Sequence, residues 1–376
     1  MPGPKLATAL SILLLPSLAP ASARAVDPAG LAAQRLAGVA ERLAPTAYPQ
    51  STDPSGHWLT TGSSAWTSGF FPGSLWLLYE RTGDPAWRAR AERWQADLER
   101  QKAKRSTHDL GFMFGPTFAT DHRLTGDTAA RDVALAAAAS LASRYSATVG
   151  ATRSWDTRAN FRVIVDNLVN LDLLFWAARN GGRAEWRDMA HSHALRSSRD
   201  HVRPDGSTVQ VVDYDELTGA VVATGTKQGA GPDSTWSRGQ AWAIHGLATA
   251  YRETGDARLL EAARSTADWW RAHVPADRVP PWDFTAPLTE PRDSSAAAVA
   301  ASGLLELARL EPDPARATRY REEARATVAS LTSAAYLAPE GDALLLHGTY
   351  NRPDGRADTG LVWGDFYLLE APARLG

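Results

Sequence analysis

One aspartate in an apolar segment is the residue of this chain whose surroundings most favour chemistry. Asp166 lies within the run VIVDNLVNL at residues 163–171. Burying an ionised carboxylate without a partner is costly, so burial raises the pKa of such a group and suits it to general acid catalysis. The alternative is a structural ion pair with Arg162, four residues earlier on a helix. The sequence leaves both interpretations open.

A second carboxylate, Asp109, occurs in the segment HDLGF at residues 108–112. Its alternative role is to cap the helix that follows it. Arg238 can likewise bind an anionic substrate or pair with a neighbouring acidic side chain. Tryptophan and tyrosine rings, which have flat apolar faces and a polar edge, accompany these residues and suit a sugar ring. The combination predicts a cavity for a carbohydrate.

Composition excludes several other classes of function. The 376 residues include 40 Lys and Arg against 42 Asp and Glu, giving a net charge of -2, which argues against nucleic acid and anionic membranes as partners. The absence of cysteine removes disulfides, thiolate nucleophiles and Cys-based zinc sites. His-Glu-x-x-His, Gly-x-Ser-x-Gly and Gly-x-Gly-x-x-Gly patterns are missing. We therefore predict no metal and no cofactor.

The first 25 residues have the pattern of a signal peptide. Lys5 precedes an apolar stretch at residues 6–18, and small residues follow at 21–25. The stretch is too short for a membrane span of about 20 residues. We expect the mature chain to begin near Val26 and to be secreted or otherwise extracytoplasmic.

Helical periodicity dominates from residue 28 onward, and Gly-Asp pairs at 83–84, 126–127 and 255–256 separate successive helices. In each pair the glycine ends one helix and the aspartate caps the next, which predicts antiparallel helix hairpins. The predicted helices are 28–45, 66–81, 85–101, 113–124, 128–147, 162–179, 183–201, 236–254, 256–273, 293–310, 314–333 and 363–373.

Charged helices alternate with apolar ones along this series, as outer and inner helices should. Six such hairpins close into a ring, so we predict an all-α fold, an (α/α)6 barrel that forms a single domain over residues 26–376. Apolar runs at 208–212 and 220–223 flank a turn at 215–219 and predict a β-hairpin on one rim. The inner helices begin at one mouth, where the candidate residues gather.

Five ordered motifs resemble glycoside hydrolase family 88, the unsaturated glucuronyl hydrolases. The likeness runs from about Trp66 to the C-terminus. The motifs are HDLGF at 108–112, IVDNLVNL at 164–171, STWSRGQAW at 234–242, RDSSA at 292–296 and WGDFY at 363–367.

The resemblance implies removal of a non-reducing Δ4,5-unsaturated uronic acid from lyase-generated oligosaccharides of the glycosaminoglycan type. It makes Asp166 the general acid/base, which protonates C4 of the vinyl ether and activates the water that adds at C5. Asp109 matches a second essential carboxylate that holds ring hydroxyls. The resemblance also implies substrate contacts by Trp66, His108, Trp155, Gln228, Trp236 and Arg238.

One position departs from the family pattern. Gln210 lies on the predicted hairpin where similar proteins have a histidine facing the site. Glutamine can hold a water or a hydroxyl but cannot change charge, so Gln210 is predicted to bind substrate and to affect linkage or sulfation preference.

Three alternatives remain at this point. The first is an unsaturated rhamnogalacturonyl hydrolase, although that family typically has WGRGNGW where this chain has WSRGQAW at 236–242. The second is an inverting glycosidase that uses Asp109 and Asp166 as acid and base. The third is a non-catalytic carbohydrate-binding toroid.

Overall fold

The computed structural model describes residues 1, 3, 28–156 and 160–374, so the signal peptide predicted over residues 1–25 lies, apart from residues 1 and 3, outside the described residues. Helices alternate between an inner and an outer ring, which confirms the (α/α)6 barrel. None of the described helices combines the length and apolar character needed to cross a bilayer.

The two rings are built as follows. The outer helices are α1 (Pro28–Arg42), α3 (Pro85–Gln95), α6 (Thr128–Ala142), α9 (Glu185–Asp200), α11 (Ala257–His273) and α13 (Pro314–Leu331). The inner helices are α2 (Phe70–Thr82), α4 (Leu110–Phe114), α5 (Thr120–Thr125), α7 (Asn167–Asn170), α8 (Asp172–Arg179), α10 (Ser237–Thr254), α12 (Ser294–Leu310) and α14 (Val362–Ala373), with a π-helical segment (Gly115–Ala119) joining α4 to α5.

Gly-Asp turns connect three of the inner helices, α2, α5 and α10, to the outer helix that follows each of them. Gly83 ends α2 with φ 68°, and the Asp84 carboxylate then accepts a hydrogen bond from the Ala86 N–H at the start of α3. Gly126 and Asp127 repeat this arrangement between α5 and α6. These hairpins could be predicted from the sequence, because a glycine in the left-handed conformation ends one helix and an aspartate side chain caps the next.

Glycines also allow the inner helices to approach one another closely around the ring. A Cβ atom at each of six glycines would lie 3.2 Å or less from a residue of a neighbouring inner helix. The contacts are Gly69 with Met113, Gly111 with Asn170, Gly246 with Leu168, Gly303 with His245, Gly364 with Ser295 and Gly73 with Phe366.

We expect Gly303→Ala to destabilise the barrel by about 1–2 kcal/mol, because the new methyl group would lie 2.8 Å from the backbone of His245. Gly38→Ala is the matched control in outer helix α1, where an added Cβ meets nothing within 4 Å. That control should gain up to about 1 kcal/mol from helix propensity alone. Urea unfolding of both variants measures the difference, and equal gains in stability would contradict close packing at Gly303.

A three-stranded antiparallel sheet covers one rim. It contains the predicted hairpin, and its third strand replaces the start of a predicted helix. Strands β6 (Val211–Tyr214) and β7 (Val221–Gly225) form the predicted hairpin, with the first strand beginning later than expected. The third strand, β5 (Phe161–Ile164), pairs with β6 and occupies residues predicted to begin a helix at 162. Its register places Arg162 opposite Asp213, and two hydrogen bonds of 2.7 Å join their side chains.

Two further small sheets, which the sequence analysis did not predict, occur in the described residues. Strand β1 (Tyr48–Thr52) pairs with β2 (Trp58–Thr61), and β3 (Tyr145–Ser146) pairs with β4 (Ala151–Thr152). The segment after β4 contributes Ser154 and Trp155 to the mouth of the barrel.

Candidate active site

Asp166 lies between strand β5 and the short helix α7, at the mouth formed by the inner helices. The predicted alternative, an ion pair with Arg162, does not form, because strand pairing commits Arg162 to Asp213. The Asp166 Oδ2 atom is buried and accepts no hydrogen bond from any residue that the structure describes. Burial raises the pKa of Asp166 to about 7, with Arg238 opposing this shift and Asp109 adding to it. This carboxyl group can therefore exchange a proton near neutral pH.

Asp109 immediately precedes α4, but its side chain does not cap that helix. One carboxylate oxygen accepts a hydrogen bond from the Thr107 hydroxyl, and the other lies 3.2 Å from His108 Nε2. The Asp109 side chain is 14% exposed at the mouth. The carboxylate is therefore held in place at the mouth, where a ligand can reach it and where its charge acts on Asp166.

His108 is buried behind Asp109 and orients the aromatic side of the mouth. Its Nδ1 lies 3.2 Å from the Ser154 carbonyl oxygen, which can only accept a hydrogen bond, so this nitrogen carries a proton. Burial lowers the pKa of His108, although Asp109 opposes the shift. The Trp155 ring meets the imidazole edge to face at 5.7 Å, and Lys227 lies over the same indole at 5.0 Å.

Arg238 takes the structural role that the sequence analysis held as its alternative. Its guanidinium is 1% exposed and donates to Asp293 Oδ2 at 2.7 Å and to the Thr349 and Tyr350 carbonyl oxygens at 2.5 and 2.8 Å. The Trp236 ring lies 4.6 Å below it and is itself 3% exposed. The guanidinium is therefore enclosed by protein groups, and direct contact of Arg238 with substrate stays a prediction.

Gln210 hydrogen-bonds to the segment that follows strand β7, and its predicted contact with substrate stays a prediction. Its side-chain oxygen accepts hydrogen bonds from Thr226, Lys227 and Gln228, and its amide nitrogen donates to the Gln228 side chain. Its backbone carbonyl accepts from the Val165 N–H, next to Asp166. Gln210 therefore fixes the loop that presents Gln228.

The far wall of the mouth is formed by aromatic side chains from the two ends of the chain. The Trp66 indole N–H donates to the Tyr350 hydroxyl at 3.0 Å, and the Trp66 ring lies 4.8 Å from that of Trp363. The Tyr350 carbonyl accepts hydrogen bonds from both Arg238 and Gln228. Sequence reasoning missed Tyr350, because its segment has no helical periodicity and these partners are distant along the chain.

A cavity of about 380 Å³ at the opposite end of the inner helices contains many charged side chains but is a poor candidate. Its arginines are paired: Arg252 binds Glu306 at 2.8 Å and Asp172 at 2.9 Å, and Arg374 lies 3.2 Å from Glu370. Among the residues that the structure describes, no group of three or more His, Asp or Glu side chains is placed to hold a metal ion.

The raised pKa of Asp166 carries a stability consequence. Between about pH 4 and pH 7 the folded protein keeps a proton that the unfolded chain has lost, so Asp166 destabilises the fold increasingly as pH rises through this window. We expect Asp166→Asn to exceed the parent in unfolding free energy by up to about 4 kcal/mol at pH 8 and by little at pH 4. Denaturant unfolding across this range measures the difference, and a pH-independent difference would contradict the raised pKa.

A family of known proteins matches this chain over most of its length. The model of Glycosyl Hydrolase Family 88 matches residues 39–368, most of the chain. The chain belongs to glycoside hydrolase family 88. This membership makes the protein a glycoside hydrolase, as the motifs indicated.

Named relatives and solved structures of family 88 align along most of the chain. An unsaturated glucuronyl hydrolase of Formosa agariphila is 39% identical over 324 residues, which cover 83% of this chain and 80% of the relative. An unsaturated glucuronyl hydrolase of Bacillus sp. (strain GL1) is 38% identical over 365 residues, covering 93% and 95%. The crystal structure of an unsaturated glucuronyl hydrolase specific for heparin superposes with a TM-score of 0.89 at 37% identity, covering 92% and 95%.

Proposed function

We propose that this family 88 protein removes the non-reducing Δ4,5-unsaturated uronic acid from glycosaminoglycan-type oligosaccharides produced by polysaccharide lyases. The observation that carries the proposal is Asp166, whose buried Oδ2 atom has no hydrogen-bond partner among the described residues. Burial raises the pKa of this carboxyl group to about 7, and the charge of Asp109 adds to the shift. The names of the aligned relatives support this substrate class.

The proposed chemistry needs only one proton donor and one water. Protonated Asp166 transfers its proton to C4 of the vinyl ether, and the ring oxygen stabilises the positive charge that develops at C5. The resulting carboxylate accepts a proton from the water that adds at C5, so Asp166 regains the proton it gave. The hemiketal formed at C5 then opens and releases the remaining sugar.

The other side chains position the uronic acid for these transfers. Asp109, fixed by the hydrogen bond from Thr107, is placed to accept hydrogen bonds from ring hydroxyls. Trp66 and Trp155 supply aromatic surface on opposite walls, and Gln228 supplies a polar edge. Holding the sugar in one orientation supports catalysis, because both proton transfers involve the same carboxyl group.

The test follows the ultraviolet absorbance of the C4=C5 enoate in unsaturated disaccharides from chondroitin, hyaluronan, heparin and rhamnogalacturonan. We expect the band to disappear with one or more of the first three. Loss with the rhamnogalacturonan product alone would favour the pectin-fragment alternative. Binding without loss would favour a non-catalytic toroid, and release of sugar from a saturated glucuronide would favour an ordinary inverting glycosidase.

We also propose that the enzyme acts outside the cytoplasm, which rests on the signal-peptide pattern of residues 1–25. Expression of the full chain in a bacterial host, followed by cell fractionation and N-terminal sequencing, tests this. The expected product is an exported chain that begins near Val26. A cytoplasmic chain that retains its first 25 residues would contradict the proposal.

A further inference from the structure

Two buried atoms of the site are chemically complementary, since the Asp166 carboxylate accepts hydrogen bonds and the Arg238 Nε–H donates them. Within residues 28–156 and 160–374, neither Asp166 Oδ2 nor Arg238 Nε has a hydrogen-bond partner. Arg238 is close enough to lower the pKa of Asp166 through its charge, yet no hydrogen bond joins the two side chains. Something else in the structure must therefore determine where the guanidinium points.

Asp293 provides that restraint. Its Oδ2 accepts the Arg238 Nη1–H at 2.7 Å, and both side chains are 1% exposed or less. Its Oδ1 accepts hydrogen bonds from the Ser295 and Ala296 N–H groups at the start of α12, and from the Ser295 hydroxyl at 2.5 Å. The carboxylate is therefore rigidly fixed to an inner helix.

The backbone of the loop before α14 restrains the same guanidinium. The Thr349 and Tyr350 carbonyl oxygens accept from Nη1 and Nη2, and the Thr349 N–H lies 3.3 Å from Asp293 Oδ1. These contacts direct both terminal nitrogens of Arg238 toward Asp293 and the loop. A direct Arg238–Asp166 salt bridge would instead lower the pKa of an aspartate by about 1–3 units and deprive it of its proton at neutral pH.

We propose that Asp293 is a positioning residue that holds Arg238 away from Asp166 and thereby keeps Asp166 protonated in the pH range where the enzyme works. The charged groups acting on Asp166 are Arg238 from α10 and Asp109 from the start of α4. Asp293 acts through Arg238 alone. The inference rests on the proposed function for its catalytic meaning, but its electrostatic content can be measured without substrate.

The experiment determines the folded-state pKa of Asp166 in four backgrounds: the parent protein, Asp293→Asn, Arg238→Gln and the double variant. In each background, the unfolding free energy is compared with and without Asp166→Asn from pH 4 to pH 9. The pH at which the difference becomes constant reports the pKa of Asp166 in the folded protein. The decline of kcat/KM for enoate loss at high pH gives a second measure of the Asp166 pKa, based on activity.

We expect Asp293→Asn to lower the Asp166 pKa by one unit or more, because the guanidinium loses the carboxylate that restrains it and is then free to turn toward Asp166. Asparagine retains the oxygen that caps α12, so the helix start is preserved. Arg238→Gln should raise the Asp166 pKa. In the double variant, Asp293→Asn should add nothing to the effect of Arg238→Gln, since the residue through which it acts is gone.

A loss of packing alone would not give opposite shifts from the two single variants. Asp365→Asn is the matched control, because Asp365 is another buried aspartate whose partners are the Leu344 and Leu345 N–H groups. It should leave the pKa of Asp166 unchanged. If Asp293→Asn folds and the Asp166 pKa moves by less than about 0.3 units, or rises, the inference is wrong.

The double variant keeps the test decisive if a single variant fails to fold, because it removes both buried charges together. An unchanged Asp166 pKa in the folded double variant would also overturn the inference. A parent protein that leaves the enoate band intact would instead refute the proposed function, while the unfolding measurements would still judge the role of Asp293.

Discussion

Asp166→Asn should lower kcat/KM for loss of the enoate band by about 10³- to 10⁴-fold at pH 6 to 7, while binding of the unsaturated disaccharide changes by no more than a few fold. The amide has nearly the same shape as the carboxyl group but can neither give a proton to C4 nor accept one from water. The effect should fall on kcat, because the aromatic walls and Asp109 still hold the sugar. Absorbance assays of enoate loss measure kcat/KM, and calorimetric titration measures binding of the disaccharide.

Asp365→Asn separates this catalytic effect from the general effect of altering a buried aspartate. Burial raises the pKa of Asp365 to about 7, as it does for Asp166, but both Asp365 oxygens accept backbone hydrogen bonds, at 2.8 and 3.0 Å. We expect Asp365→Asn to change kcat/KM by at most a few fold. Retention of more than a tenth of the parent activity by Asp166→Asn would remove Asp166 from its proposed role.

Arg238→Met should lower the unfolding free energy by about 3–5 kcal/mol, the largest stability loss that we expect from a single substitution in the site. The methionine side chain fills much of the same space, but Asp293 remains as a buried carboxylate without its cationic partner. The carbonyl oxygens of Thr349 and Tyr350 lose their donors as well. Denaturant unfolding at pH 7 measures the loss.

The double variant Arg238→Met with Asp293→Asn should recover part of this stability although it removes one more charge. The unpaired buried carboxylate is then gone, and asparagine still caps α12. A double variant that is less stable than Arg238→Met would show that the pair contributes through contacts other than its mutual charge.

The fold could be predicted from the sequence because its main determinants are local. A capping aspartate after a glycine, as at Gly83 and Asp84, depends on the residues of one turn, and the alternation of charged and apolar helices depends on each helix alone. The strand at Phe161–Ile164 could not be recognised in this way. Its conformation depends on pairing with β6, about 50 residues later in the chain.

The difference between local and long-range determinants also applies to the site. The apolar segment around Asp166 indicated that burying its ionised carboxylate would be costly. In the structure, burial raises the pKa of this group. The family resemblance implied a substrate contact for Arg238, and the position on the hairpin suggested one for Gln210. The protein partners of these side chains, Asp293 and the loop carrying Gln228, are set by tertiary packing and could not be predicted from the sequence. Sequence position thus indicated which residues gather, whereas their individual roles depended on long-range contacts.

The wall between Trp66 and Tyr350 has a consequence for how activity arises during folding. These residues are 284 positions apart, so their contact requires the last hairpin of the ring to dock against the first. Contacts of such long range form late and slowly. During refolding, helix content should therefore return before the ability to bind sugar, and a barrel that has not yet closed lacks one side of its binding pocket.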